Sequence, residues 1–133
     1  MVTIKFNIKL GIKEIDTQHQ RLVDIMNKLV AAIDKGLEDY VIEEIINDLV
    51  DYALTHFRTE EGYFREFKYD KTDEHISQHD EFYKKLKLFR EKLNGHNKDV
   101  AQEIVAYLEN WLTDHVLGHD KKYVECFHEN GLY

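Results

Sequence analysis

Apolar residues recur at spacings of three and four in four separate stretches of this chain, and no proline interrupts any of them. That period is the inward stripe of an amphipathic helix. The first stripe holds Leu22, Met26, Leu29 and Ile33, and the second Ile42, Ile46, Leu49, Ala53 and Phe64. The third holds Phe82, Leu86, Phe89 and Leu93, and the fourth Val100, Ile104, Leu108 and Trp111. The pattern predicts helices over 17–35, 39–67, 72–93 and 98–117, with a short fifth over 121–129 and an N-terminal arm of no clear period over 1–15. Asp16, Asp70 and Asn97 are the expected N-caps. Gly36, Gly95 and Gly131 are the expected left-handed C-terminal positions. Connections of a few residues leave successive helices little choice but to run antiparallel. The expected fold is therefore an all-α, up-and-down four-helix bundle, formed by one domain over 1–133.

Composition narrows the functional classes. Apolar runs of only a few residues fall far short of the roughly 20 that a membrane span needs. The opening Met1-Val2-Thr3-Ile4-Lys5 carries no apolar signal region, and the lone Cys126 excludes an intramolecular disulfide framework. Both features lead to the expectation of a cytoplasmic protein. A net charge of −8 argues against bulk nucleic-acid binding, because no basic stripe is there to displace counterions. A monomer with at most a transient protein partner is expected.

The histidines are unevenly placed. His19 lies three before Leu22, and His56 three after Ala53, with Glu60 four further on. His75 and His79 extend the third stripe back from Phe82, and His115 lies four after Trp111. Asp120 follows where the fourth helix is expected to end. Polar, ligand-capable residues thus occupy the core face of all four helices. In an up-and-down bundle they also fall at one end: early in the odd helices and late in the even ones. A lone histidine on an apolar face is more often a satisfied core residue than a ligand. Seven polar groups at one depth are different, because burying each without a partner costs about 1–3 kcal/mol.

Five imidazoles and two carboxylates are too many for one tetrahedral ion. They suit a pair of ions bridged by carboxylates. If the two ions are six-coordinate and also share one solvent-derived bridge, a single position stays open for a small diatomic ligand. Imidazole and carboxylate suit iron, although manganese, cobalt or zinc could also enter.

Four motifs carry a family resemblance. They are Gly11-Ile12 with Ile15-Asp16-Thr17-Gln18-His19, then His56-Phe57-Arg58-Thr59-Glu60-Glu61, then His75-Ile76-Ser77-Gln78-His79, and last Trp111-Leu112-Thr113-Asp114-His115-Val116-Leu117-Gly118-His119-Asp120-Lys121-Lys122-Tyr123. The chain resembles the hemerythrin family, in particular its bacterial single-domain members, over nearly its whole length. The resemblance implies a non-haem di-iron centre with an oxo or hydroxo bridge. It implies that His75, His79 and His115 hold one iron, that His19 and His56 hold the other, which keeps the open position, and that Glu60 and Asp120 bridge both. It implies reversible uptake of molecular oxygen at the second iron, in a pocket lined by Phe57, Trp111, Leu112, Val116 and Leu117. The chain departs from the family pattern at Phe6, where a tryptophan is common, at Tyr63 or Phe64 in place of a methionine, and at Asp70 in place of a proline.

Other residues are expected to be bystanders. His119 is expected at the surface or behind the site, and His96 and His128 in solvent. Lys84, Lys85, Lys87, Arg90 and Lys92 are expected on a solvated face, and Cys126 as an ordinary thiol. The leading function is oxygen carriage, storage or delivery, not an enzymatic one. The alternatives are a di-iron sensor or a protein that handles peroxide or nitric oxide. Histidine-rich ligation favours binding over oxidation, and the lack of a second domain within the chain lowers the sensor reading.

Overall fold

The computed structural model describes residues 9–93 and 97–133. Four long helices form, α1 (Lys13–Asp34), α2 (Asp39–Phe67), α3 (Thr72–Glu91) and α4 (Asn97–Trp111). A π-helical segment (Leu112–His119) and a 3-10 turn (Asp120–Tyr123) then lead into α5 (Val124–Glu129). No strand occurs among the described residues, so this is the all-α bundle that the periodicity predicts. No described helix is long and apolar enough to cross a membrane. Expectations for residues 1–8, including Phe6, for Gly95 and His96, and for the Asn97 side chain lie outside the described residues.

Cross-helix contacts fix the antiparallel order. Gln18, early in α1, bonds Thr59, late in α2. Asn47, early in α2, bonds Arg90 at the end of α3. Lys92 after α3 bonds Glu103 in α4, while Gln78 near the start of α3 reaches His115 beyond the end of α4.

Helix caps or boundaries differ from expectation in three places. Asp16 is not the N-cap of α1, because the helix begins earlier and Ile12 takes that position. Gly11 turns the chain in with φ of 99°, a conformation open to glycine for want of a Cβ. The Asp16 carboxylate instead reaches back to accept the N–H groups of Leu10 at 2.7 Å and Gly11 at 3.2 Å. Nor does Asp70 cap α3. Lys71 holds that position without a side-chain bond, while Thr72 Oγ1 donates to Tyr69 O at 2.6 Å. Gly36 and Gly131 are left-handed as expected, with φ of 62° and 86°.

The third difference matters most for the site. The fourth helix does not stop near Leu117 but continues through a widened turn, in which the Asp120 N–H bonds to His115 O. On an α-helix, residues five apart sit roughly 140° apart around the axis. Closing the turn over five residues brings them back toward one face.

Two apolar clusters fill the interior. The larger includes Leu22, Met26, Leu49, Ala53, Phe57, Phe82 and Leu108. The smaller is Ile12, Ile15, Phe64, Tyr69, Tyr123 and Phe127. Along α1, His19 falls between Ile15 of the smaller cluster and Leu22 of the larger. Along α2, His56 and Glu60 fall between Ala53 and Phe64. A polar layer therefore lies between the two clusters.

Candidate metal centre

All seven predicted groups converge in that layer, each no more than 3% exposed. They form two sets. Glu60, His75, His79 and His115 each offer one atom within 4.8 Å of the others, and His19, His56, Glu60 and Asp120 do the same. The carboxylates straddle the sets. Asp120 Oδ1 lies 2.8 Å from His75 Nε2 and 3.0 Å from His115 Nε2, while its Oδ2 lies 2.9 Å from His19 Nε2. Glu60 Oε1 lies 3.1 Å from His79 Nε2 and 3.2 Å from His56 Nε2.

These separations are short, yet hydrogen-bond geometry is missing at most of the atoms. Nε2 of His19, His75, His79 and His115, and all four oxygens of Glu60 and Asp120, are buried without a hydrogen-bond partner. With the imidazoles neutral, their lone pairs converge without pairing, an arrangement costly in a protein interior. A cation among them would satisfy every one. Imidazole nitrogen and carboxylate oxygen together are the donor types that suit iron and its neighbours.

Three of the five outward nitrogens are held from behind, while His19 Nδ1 is buried without a partner. His56 Nδ1 lies 2.6 Å from Gln18 Oε1, His79 Nδ1 2.9 Å from Glu61 Oε2, and His115 Nδ1 2.5 Å from Gln78 Oε1. Acceptors at these positions keep the proton on Nδ1 and leave Nε2 free as a ligand, which also fixes the ring orientation. Gln18 is itself tied to Thr59 Oγ1 at 3.1 Å, and Gln78 Nε2 donates to His119 Nδ1 at 3.1 Å. The sequence reading missed Gln18, Glu61 and Gln78 in this role. Their one signal was adjacency to His19, Glu60 and His79.

Two of the five predicted apolar residues lie against this layer. Phe57 stacks on His79 with centroids 3.8 Å apart, and Trp111 stacks on His115 at 3.9 Å. Leu112 and Val116 are buried in the larger cluster, and Leu117 packs half-buried against it. Among the bystanders, His119 is half-buried behind Gln78 and outside both sets of ligand atoms. His128 is not simply solvated: its Nε2 donates to Gly11 O at 2.9 Å and its ring stacks on Tyr133. Lys84, Lys87, Arg90 and Lys92 are exposed as expected, Arg90 donating to Asn47, while Lys85 lies half-buried over the Phe89 ring. Burial, with Glu129 and Asp70 nearby, pushes the Cys126 thiol up, which makes it a poor nucleophile.

Electrostatics repeat the pattern. Burial pushes the Glu60 carboxyl up, but His56, with His75 and His79 close by, outweighs it and holds Glu60 well below the usual range. Burial and Glu60 raise Asp120, and His115 and His19 more than reverse this. Burial lowers His75, yet Asp120 and Glu60 carry it up to about 9. Asp120 raises His19, and Glu60 with Glu61 raises His79, in both cases against burial. Burial keeps His115 below its ordinary value. Without a cation, protons on the raised imidazoles supply the positive charge between the carboxylates.

Comparison with known proteins agrees with this chemistry. A family model described as the hemerythrin HHE cation binding domain matches residues 10–127. A bacteriohemerythrin of Pseudomonas aeruginosa is 34% identical over 120 residues, 90% of this chain and 77% of that one. Another, from Clostridium acetobutylicum, is 34% identical over 131 residues, 94% of this chain and 100% of its own. A hemerythrin-like protein of Naegleria gruberi is 25% identical over 114 residues, 86% of this chain and 83% of that protein.

Proposed function

The chain belongs to the hemerythrin family, and on that footing we propose that it binds molecular oxygen reversibly at a non-haem di-iron centre, as a carrier, store or delivery protein. In this reading one domain over 1–133 holds two irons. His75, His79 and His115 would hold the first and His19 and His56 the second, with Glu60 and Asp120 as the carboxylates placed to be shared between them. The observation that carries the reading is that each carboxylate lies against imidazoles of both sets. When bound, the two irons supply reversible two-electron exchange with a small diatomic ligand.

The chain's own residues do the rest. Gln18, Glu61 and Gln78 hold three imidazoles in the ligating tautomer. Phe57, Trp111, Leu112, Val116 and Leu117 keep water away from the bound ligand, because an apolar wall gives water too few partners. The set containing His19 and His56 has one imidazole fewer than the other. That asymmetry supports a single exchangeable position, which suits binding more than oxidation of a second substrate.

Anaerobic reconstitution with iron, followed by metal analysis and oxygen titration, tests the reading. About two irons per chain are expected, with an optical band that appears with oxygen and vanishes when oxygen is removed. His56→Ala and His79→Ala should each lose iron. A stoichiometry near one, or a band that never reverses, would refute the proposal.

A further inference from the structure

We propose that the Tyr52 hydroxyl is the hydrogen-bond donor to a small ligand taken up beside His19 and His56, whether molecular oxygen or a linear anion such as azide. The inference rests on the di-iron reading above. Tyr52 lies one helical turn before His56 on α2, and its ring stacks nearly parallel on that imidazole, with centroids 5.4 Å apart and planes 10° apart. The phenol C–O bond therefore lies in a plane almost parallel to the imidazole plane. The residue is 2% exposed, and its hydroxyl is buried with no hydrogen-bond partner. Buried hydroxyls without partners are rare in native interiors because they forgo their hydration for nothing. Phenylalanine would fill the same space without that cost. An orphaned donor over a candidate ligand histidine thus points to an acceptor supplied from outside the chain.

Placement selects the set it serves. Tyr52 stacks on His56, in the set with two imidazoles, and not on His75, His79 or His115. Tyr123 also has a buried hydroxyl, but Glu60 lies beside it as an acceptor within the chain, and the residue belongs to the smaller cluster, stacked on Phe127 and next to His75 of the other set. A donor to a ligand carrying negative charge makes the stronger kind of hydrogen bond, more so away from water.

Tyr52→Phe tests the proposal. Both proteins are loaded with iron, oxidised and titrated with azide. The variant should keep its iron but bind azide roughly tenfold or more weakly, as expected for losing a hydrogen bond to a charged acceptor. The azide vibrational frequency should shift in deuterated water for the parent and not for the variant. With metal removed, the variant should melt no lower than the parent, because the deleted hydroxyl had no partner. Equal azide affinity in two fully loaded proteins overturns this inference and leaves the di-iron reading standing. A lower melting temperature for the metal-free variant also overturns it, since the hydroxyl then has a partner within the protein. A parent that takes up no pair of irons overturns the di-iron reading itself, and this inference with it.

Discussion

Stripping the metal from the reconstituted chain should lower its melting temperature by about 12–20 °C near neutral pH. The figure follows from the roughly 3–5 kcal/mol lost when a buried charge loses its partner and from about 4 °C per kcal/mol for a chain of this size. Glu60 and Asp120 are fully buried, and most of their oxygens' neighbours lie close without hydrogen-bond geometry. Protonated imidazoles offset part of the loss, and that gives the effect a pH dependence. His75 is raised from 6.5 to about 9 in the metal-free chain. Its contribution is fully present below 6.5 and is lost as pH rises through about 9. Metal-bound imidazoles carry no such proton, so the gap between loaded and stripped protein should widen across that window. Calorimetric melts of both forms at its two ends measure the gap. Equal melting temperatures throughout would mean that the seven groups form a self-sufficient polar network.

Phe57→Ala should produce the other large effect, on both stability and the lifetime of the oxygenated form. The ring is 1% exposed, stacks on His79, and meets Phe82 and Tyr83 edge-on at 5.3 Å. Truncation should cost about 3–5 kcal/mol and open a path for water to the site. Leu117→Ala separates the two consequences. Leu117 is half-buried at the margin of the same cluster, so its loss costs far less packing. Both variants should lose their oxygenated absorption band several-fold faster than the parent at equal iron content. If Leu117→Ala decays at the parent rate, exclusion of water by the apolar wall does not protect the bound state.

The helices and the seven converging groups were legible for the same reason. Burial imposes a period of three and four on a helix, and His19, His56, Glu60, His75, His79 and His115 break an apolar stripe at one level. What remained hidden has physical causes. An acidic residue before an apolar run looks alike whether it caps a helix or, as Asp16 does, reaches back from the first turn. The π-helical turn shows in the sequence only as a spacing of five between His115 and Asp120, since its hydrogen-bond register is decided by where Asp120 must go. Gln18 and Gln78 sit one residue from the stripe, about 100° around the helix, and so read as surface. His128 finds its acceptor 117 residues away at Gly11, beyond the reach of any local pattern.

The polar layer between the two apolar clusters bears on how cooperatively the chain unfolds. Each cluster is internally packed, but the interior between them is made of the buried imidazoles and carboxylates. Ions gripped at once by α1, α2, α3 and the segment after α4 would join the two clusters into one unfolding unit. Without them, the smaller cluster is free to open by itself, as weakly coupled parts of a protein do. Backbone amides in α5 and at the start of α1 should then exchange with solvent ahead of those in the middle of the bundle.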